Sequence, residues 1–300
     1  MGNGIPAYPC SMKHIKPWDE LTIRDNFVFL KVMRNEALCR RLLELLLGIT
    51  IRSIGFPETE KTIDTGVSVK SVRLDVYVED SEGRAFDVEM QAEDMQQGEL
   101  PLRARYYQSM IDQGLLEKGQ IYTDLRESFV IFICDFDPFH LGLRRYTFHN
   151  RCDEDRELVL EDRATKIFLN ARGTLGDESP DVRAFLDYVR TNSATGGFAT
   201  EIAAEVNRVK ASSVAKREYM TLAMEIQRQI AQEKDKWFAE GEAKGEARGE
   251  ARGEARGEAR GEATRSRTIA LRLLQRGLPL NLIAEDTGLT VDQVRELRQP

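Results

Sequence analysis

Histidine and cysteine are scarce in this chain, which has three of the first and four of the second among 300 residues. The cysteines, at positions 10, 39, 134 and 152, form no C-x-x-C pair, which argues against a zinc ribbon or a thiol redox motif and fits a reducing cytoplasm. The scattered histidines leave little room for a histidine-rich metal site or a Ser-His-Asp triad, so metal chemistry must rest on carboxylates. Long apolar runs are missing too: LLELLLGI (42–49) and VIFIC (130–134) are too short to cross a bilayer. The opening MGNGIPAYPCSMKHIKPW lacks an apolar h-region, and Pro6 stands where a myristoylation signal needs Ser or Thr. The expectation is a cytoplasmic protein with no membrane partner. The net charge of −7 speaks against nucleic acid only weakly. Carboxylates that hold a metal enter that sum as negative, and a local basic patch can outweigh it.

What is present is an alternation of helical and strand periodicity. Apolar residues three and four apart from Leu21 to Gly48 predict one or two amphipathic helices ending at Gly48. Residues 49–91 switch to shorter β-type segments. Helix returns at about 99–117, with Pro101 in a tolerant first turn, and SFVIFICDF (128–136) reads as a strand buried on both faces. RELVLEDRATKIFLNA (156–171) predicts a further pair of strands, and SPDVRAFLDYVR (179–190) a short capped helix. This order describes an α/β fold, a mixed sheet flanked by helices.

The division expected from composition is a first domain at 1–195, a helical arm at 196–240, a GEAR repeat spacer at 241–264 and a helical, helix-turn-helix-like tail at 265–300. In the tail, Thr290 and Gln293 make a capping box and Gly288 is placed to end the preceding helix. Asp292 and Glu296 on the last helix would repel a phosphate backbone, while Arg265, Arg267, Arg272 and Arg276 lie on the helix before it. The repeat, six GEA units from Gly241 to Thr264, has two readings. On one helix it stacks like charges at i,i+4, and each glycine costs roughly 1 kcal/mol relative to alanine. Either it is a solvated spacer, or a second copy sets its Arg stripe against this Glu stripe and the chain becomes a homo-oligomer through repeat and tail.

The stretch RLDVYVEDSEGRAFDVEMQ (73–91) carries the chemistry. It alternates apolar and polar residues around a turn, and register must keep apolar against apolar. A three-residue loop, Ser81-Glu82-Gly83 with Gly83 left-handed, achieves this. Val78 then faces Phe86, Val76 faces Val88 and Leu74 faces Met90. On the polar side Asp75 falls opposite Glu89, and Arg73 opposite Gln91. Opposed side chains have Cβ atoms about 4.5–5.5 Å apart, where like charges destabilise. A divalent cation would offset the repulsion, and hard oxygen ligands point to Mg²⁺, with Mn²⁺ as the alternative. The rival reading is an exposed hairpin face of solvated acids with Asp75 screened by Arg73. Asp87 shares the face of Glu89 and is either a ligand or a surface acid.

An Asp on one strand and E-x-Q on the next, between helices and before a buried strand, resembles the PD-(D/E)XK nuclease superfamily. The segments LTIRDNFVFLKVM, RLDVYVEDSEGRAFDVEMQ, RARYYQSMI and YTDLRESFVIFICDFDPF before RRYTFHN are together similar to the Rpn family of recombination-promoting nucleases, over roughly residues 17–172. The resemblance implies a restriction-endonuclease-like fold and a Mg²⁺-dependent, transposase-like DNA endonuclease that promotes recombination. It implies Asp75 and Glu89 as metal ligands, with the main-chain carbonyl of Met90 as a further one. Gln91 then occupies the catalytic position where the motif has lysine. Glutamine brings no charge, so slow chemistry is expected, and the competing reading is a catalytically silent DNA-binding or self-associating scaffold. Asp25 either approaches the metal or caps its helix. Arg103, Arg105 and Tyr106 follow the motif on a helix where the resemblance suggests phosphate contacts. Two residues apart, Arg103 and Arg105 cannot share one helical face, so at most one points inward.

Overall fold

The computed structural model describes residues 15–56, 62–63, 72–94, 98–116 and 119–298. The stretch that bears Pro6 and Cys10 lies outside the described residues, and so does the side chain of Arg73. The chain forms two units that divide between Ala223 and Met224.

In the first unit, α1 (Asn26–Met33) and α2 (Glu36–Leu47) realise the apolar spacing of residues 21–48, and Gly48 ends α2 with φ 68°. The chain then enters a six-stranded sheet through β1 (Ile54–Gly55), a strand of two residues. A separate two-stranded ribbon follows, β2 (Thr62–Ile63) and β3 (Val72–Arg73), in which Arg73 pairs with Thr62 and not with Gln91. Next come β4 (Val76–Asp80), β5 (Ala85–Gln91), α3 (Glu99–Leu115), β6 (Ser128–Cys134), β7 (Arg145–Phe148) and β8 (Ala164–Asn170). Spatial order in the sheet is β1-β4-β5-β6-β8-β7. β5, β6 and β8 run parallel, while β1, β4 and β7 are antiparallel to their neighbours.

The pair of strands expected at 156–171 is therefore corrected. Only its second half is a strand, and the partner is Arg145–Phe148, whose charged and apolar mixture suits an edge. Residues 156–163 are held by turns and one isolated bridge, Arg151 to Val159.

The hairpin register is the predicted one, with Val76 opposite Val88 and Val78 opposite Phe86. Asp80 N–H donates to Arg84 O and Gly83 N–H to Asp80 O, closing the loop with Gly83 at φ 75°. The pairing stops at Val76. Asp75 sits in a bend just before it, so Leu74 turns to the opposite side of the sheet from Val76 instead of facing Met90.

Alternation sorts the strands onto two cores. Val76, Val78, Phe86, Val88, Met90, Ile131, Ile133, Ile167 and Leu169 pack with α1 and α2. The same core takes in α4 (Pro180–Thr191), capped by Ser179, and α5 (Gly197–Ala211). On the other face Tyr77, Val130, Phe132, Cys134 and Phe168 pack under α3 through Leu100, Ala104, Met110 and Ile111. The polar face of the hairpin is thus a second interior.

A long helix, α6, runs without a break over Ser213–Gln275, through the whole repeat. Its first turns belong to the first unit, where the Tyr219 hydroxyl donates to Lys16 O at 2.6 Å and its ring meets Trp18 and Phe27. Within the repeat every residue is exposed. In the second unit Ala270 of α6, Ile283 of α7 (Leu280–Thr287) and Val294 of α8 (Val291–Glu296) form a small core. Gly288 ends α7 at φ 70°, and Thr290 with Gln293 caps α8 reciprocally.

Candidate active site

The acids of the hairpin are interior groups, which overturns the exposed-face reading. Asp87 is 0% and Glu89 3% exposed on β5, beneath α3, and Asp75 is half-buried in its bend. The odd-numbered positions of β5 carry them there, because Phe86, Val88 and Met90 take the even-numbered face into the larger core.

Asp75 and Glu89 are joined through the backbone. Asp75 N–H donates to Glu89 Oε1 at 2.8 Å, and Met90 N–H donates to Asp75 Oδ2 at 3.3 Å. Asn26, the first residue of α1, donates to Asp75 Oδ1 at 3.3 Å. Main-chain and amide donors of this kind favour the ionised carboxylate. Arg103 of α3 is the cation of the site: Nη2 stands 3.4 Å from Glu89 Oε2. Its shorter bonds go to neutral atoms, Nη1 to Gln91 Oε1 at 2.8 Å and Nη2 to the Tyr107 hydroxyl at 3.0 Å. The guanidinium lies 5.4 Å from the ring centroids of Tyr107 and Phe132. Gln91 in turn donates Nε2 to Glu93 O at 2.7 Å.

Burial, then the Asp75 carboxylate, pushes Glu89 up to about 8, against the bond from Asp75 N–H and the Arg103 charge. Burial, then the Glu89 and Asp75 charges, pushes Asp87 well above the carboxylate range. No N–H or hydroxyl donor among the described residues reaches either oxygen of Asp87, whose carboxyl instead meets that of Glu89. Two buried carboxyls in contact beside a third make a site where negative charge is crowded. The donor set is oxygen only, which suits a hard divalent cation. Among the described residues, however, no group of three or more His, Cys, Asp or Glu side chains is arranged to hold a metal. The fit is to a pair of carboxylates, with water or main-chain oxygen completing the shell.

The remaining sequence candidates separate cleanly. Asp25 holds the N-cap position of α1 but makes no side-chain cap. Its carboxylate accepts from Thr22 N–H at 2.8 Å and from Lys16 Nζ at 2.7 Å, so capping is not its role. Arg103 points inward and Arg105 is exposed, as two-residue spacing requires. Tyr106 packs at the margin of the α3-side core, and the tyrosine that meets Arg103 is Tyr107. Sequence reasoning missed Tyr107, although it stands four residues after Arg103 on the same helical face. It missed Asn26 as well, for which only the opening position of α1 was a signal. Among the described residues no helix is long and apolar enough to cross a membrane.

Residues 26–172 match the family model described as PD-(D/E)XK nuclease family transposase. No curated protein and no solved structure matches the chain.

Proposed function

We propose, from a chain whose residues 26–172 belong to the PD-(D/E)XK nuclease transposase family and whose fold is of the α/β restriction-endonuclease-like kind, that the protein is a divalent-metal-dependent DNA endonuclease serving recombination. The observation that carries this reading is the joined pair of acids, Asp75 N–H on Glu89 Oε1 at 2.8 Å, beside a third, fully buried acid, Asp87. Asp75 and Glu89 would hold Mg²⁺ or Mn²⁺, with the Met90 carbonyl as a third oxygen. When bound, such an ion supplies a nucleophilic water at neutral pH and offsets charge on a phosphodiester.

The chain's own residues prepare for this in a definite way. Met90 N–H and Asn26 fix the two oxygens of Asp75, and Asp75 N–H fixes Glu89, so both carboxylates keep one orientation before any ligand arrives. Preorganised donors and acceptors of this kind lower the reorganisation needed at the moment of reaction. Asp87, fully buried beside Glu89, is pushed well above the usual carboxylate range by burial and by the Glu89 and Asp75 charges, and so crowds the ligand pair with a third acid.

Supercoiled plasmid incubated with Mg²⁺ or Mn²⁺ tests the reading, with wild type set against Asp75→Asn and Glu89→Ala. Metal-dependent nicks from wild type and none from either variant are expected. Equal nicking by all three, or none by wild type with either metal, would leave the scaffold reading, which the absence of lysine at Gln91 favours.

A further inference from the structure

A lysine two residues after the motif Glu would place an ammonium beside the reacting phosphate; here the strand offers only the neutral Gln91. Within hydrogen-bond reach of that glutamine lies a full positive charge that comes from another element, α3. We propose that Arg103 is a catalytic residue that faces the scissile phosphodiester of a nucleic acid in place of the motif lysine, and that Gln91 is the positioning residue that holds its guanidinium there. This rests on the nuclease reading and goes beyond the phosphate contact that the resemblance suggests for Arg103, giving it the place of the missing lysine and Gln91 the task of holding it.

Three observations carry it. First, Arg103 does not behave as a plain counter-ion for Glu89. Its contact with Glu89 Oε2 is 3.4 Å, whereas Gln91 Oε1 and the Tyr107 hydroxyl stand at 2.8 and 3.0 Å. A guanidinium recruited only to neutralise a buried acid would make a short, bidentate pair with it. Bonds to neutral acceptors fix the group in space without cancelling its charge. Second, Gln91 is itself held, with Nε2 on Glu93 O at 2.7 Å, so its Oε1 is presented to α3 and the amide has one orientation. Third, Arg103 is neither interior nor free. Its side chain is 27% exposed and stacked against Tyr107 and Phe132, so it is held in place without being sealed from solvent. Planar, delocalised guanidinium suits a phosphate oxygen pair, and it keeps its charge at any working pH.

The test uses the full chain and four variants: Arg103→Met, Gln91→Leu, Gln91→Lys and the double variant Gln91→Lys/Arg103→Met. Methionine keeps the apolar stem packed on Tyr107 and Phe132, and circular dichroism and melting verify the fold of each. In nicking assays Arg103→Met should lose roughly 10²- to 10³-fold in kcat, the usual effect of removing one charge-stabilising donor. Gln91→Leu should lower kcat by less and leave KM unchanged, because the charge remains but wanders. The double variant should recover activity over Arg103→Met alone, since lysine then stands where the motif has it. A structural role for Arg103 would not be rescued from another element.

A second readout needs no cleavage. Binding of a fluorescein-labelled DNA duplex in EDTA should lose about 0.9 from the slope of log K against log salt in Arg103→Met, the signature of one phosphate contact removed. An unchanged slope overturns the phosphate role whatever the nicking assay reads, and so does wild-type kcat in Arg103→Met. Failure of the double variant to exceed Arg103→Met overturns the substitution for lysine. Absence of nicking by wild type, together with a lowered slope in Arg103→Met, would instead sink the nuclease reading and keep Arg103 as a phosphate ligand.

Discussion

Replacing Glu89 with glutamine should make the metal-free protein more stable in alkali while removing its activity. Burial and Asp75 raise Glu89 from 4.5 to about 8 in the fold. Between those values the folded chain binds a proton that the unfolded chain has released, so stability falls as pH rises through this window and levels off above it. At about 1.4 kcal/mol per pH unit, the interval corresponds to a ceiling of roughly 4–5 kcal/mol, reduced where Asp87 and Glu89 share the charge. Glutamine is close in shape to the protonated acid and keeps a carbonyl for Asp75 N–H, but it never ionises.

Near pH 5, therefore, the two proteins should melt within about 1 kcal/mol of each other. Near pH 9 the variant should lead by several kcal/mol, or roughly 5–10 °C at about 2–4 °C per kcal/mol for a domain of this size. Thermal melts in EDTA across that range measure the difference, and subtracting the curves cancels the titrating groups that Glu89 does not influence, leaving Glu89 and its neighbour Asp87. Parallel curves would refute the idea that the site forces a buried charge. Saturating Mg²⁺ should then raise the wild-type midpoint and leave the variant's nearly unmoved, because only a ligand that prefers the folded wild type stabilises it.

Other outcomes test the fold. Gly173→Ala would place a Cβ 2.6 Å from Leu143 O and 2.8 Å from Arg144 Cα, all backbone. A loss of several kcal/mol in urea unfolding is expected there, against about 1 kcal/mol for Gly83→Ala, where strain at φ 75° is the main cost and the Arg126 side chain can give way. Phe132→Ala, which empties the stacking position between Tyr107 and Phe168, should cost about 3–5 kcal/mol. In the repeat, Gly→Ala at 245, 249, 253 and 257, where no atom within 4 Å obstructs a Cβ, should raise the helical circular dichroism signal and delay its thermal loss, at about 1 kcal/mol per site. No gain in helicity and no delay in its thermal loss would refute the idea that the glycines weaken this helix.

The sequence was most legible where one face had to be apolar. Val76, Val78, Phe86 and Val88 fixed the hairpin register, and Gly83, Gly48, Gly288 and the Thr290 box marked their turns and caps, because each of these signals is local. It misled where burial came from a distant element. Alternation alone cannot tell a solvated face from one covered by α3, so Asp87 read as a choice between ligand and surface acid and emerged as a fully buried one against Glu89. The Asp75 bend was hidden for a similar reason. The pattern runs on through Leu74, while the chain leaves the ladder at Val76 to bring Asp75 N–H onto Glu89. Helix–strand contacts such as Arg103 with Gln91 depend on where α3 lands, and spacing along the chain carries only half of that, the inward face.

The alternation on β5 also acts as a proofreading device during folding. A slip of one residue against β4 or β6 would drive Asp87, Glu89 and Gln91 into the aliphatic core and turn Phe86, Val88 and Met90 toward Arg103 and the acids. Ionised acids without partners there would cost several kcal/mol each, more than a small domain's whole margin. The same side chains that make the native site electrostatically strained make every misregistered sheet far worse. A strand holding only apolar residues at those positions would gain stability and lose that discrimination.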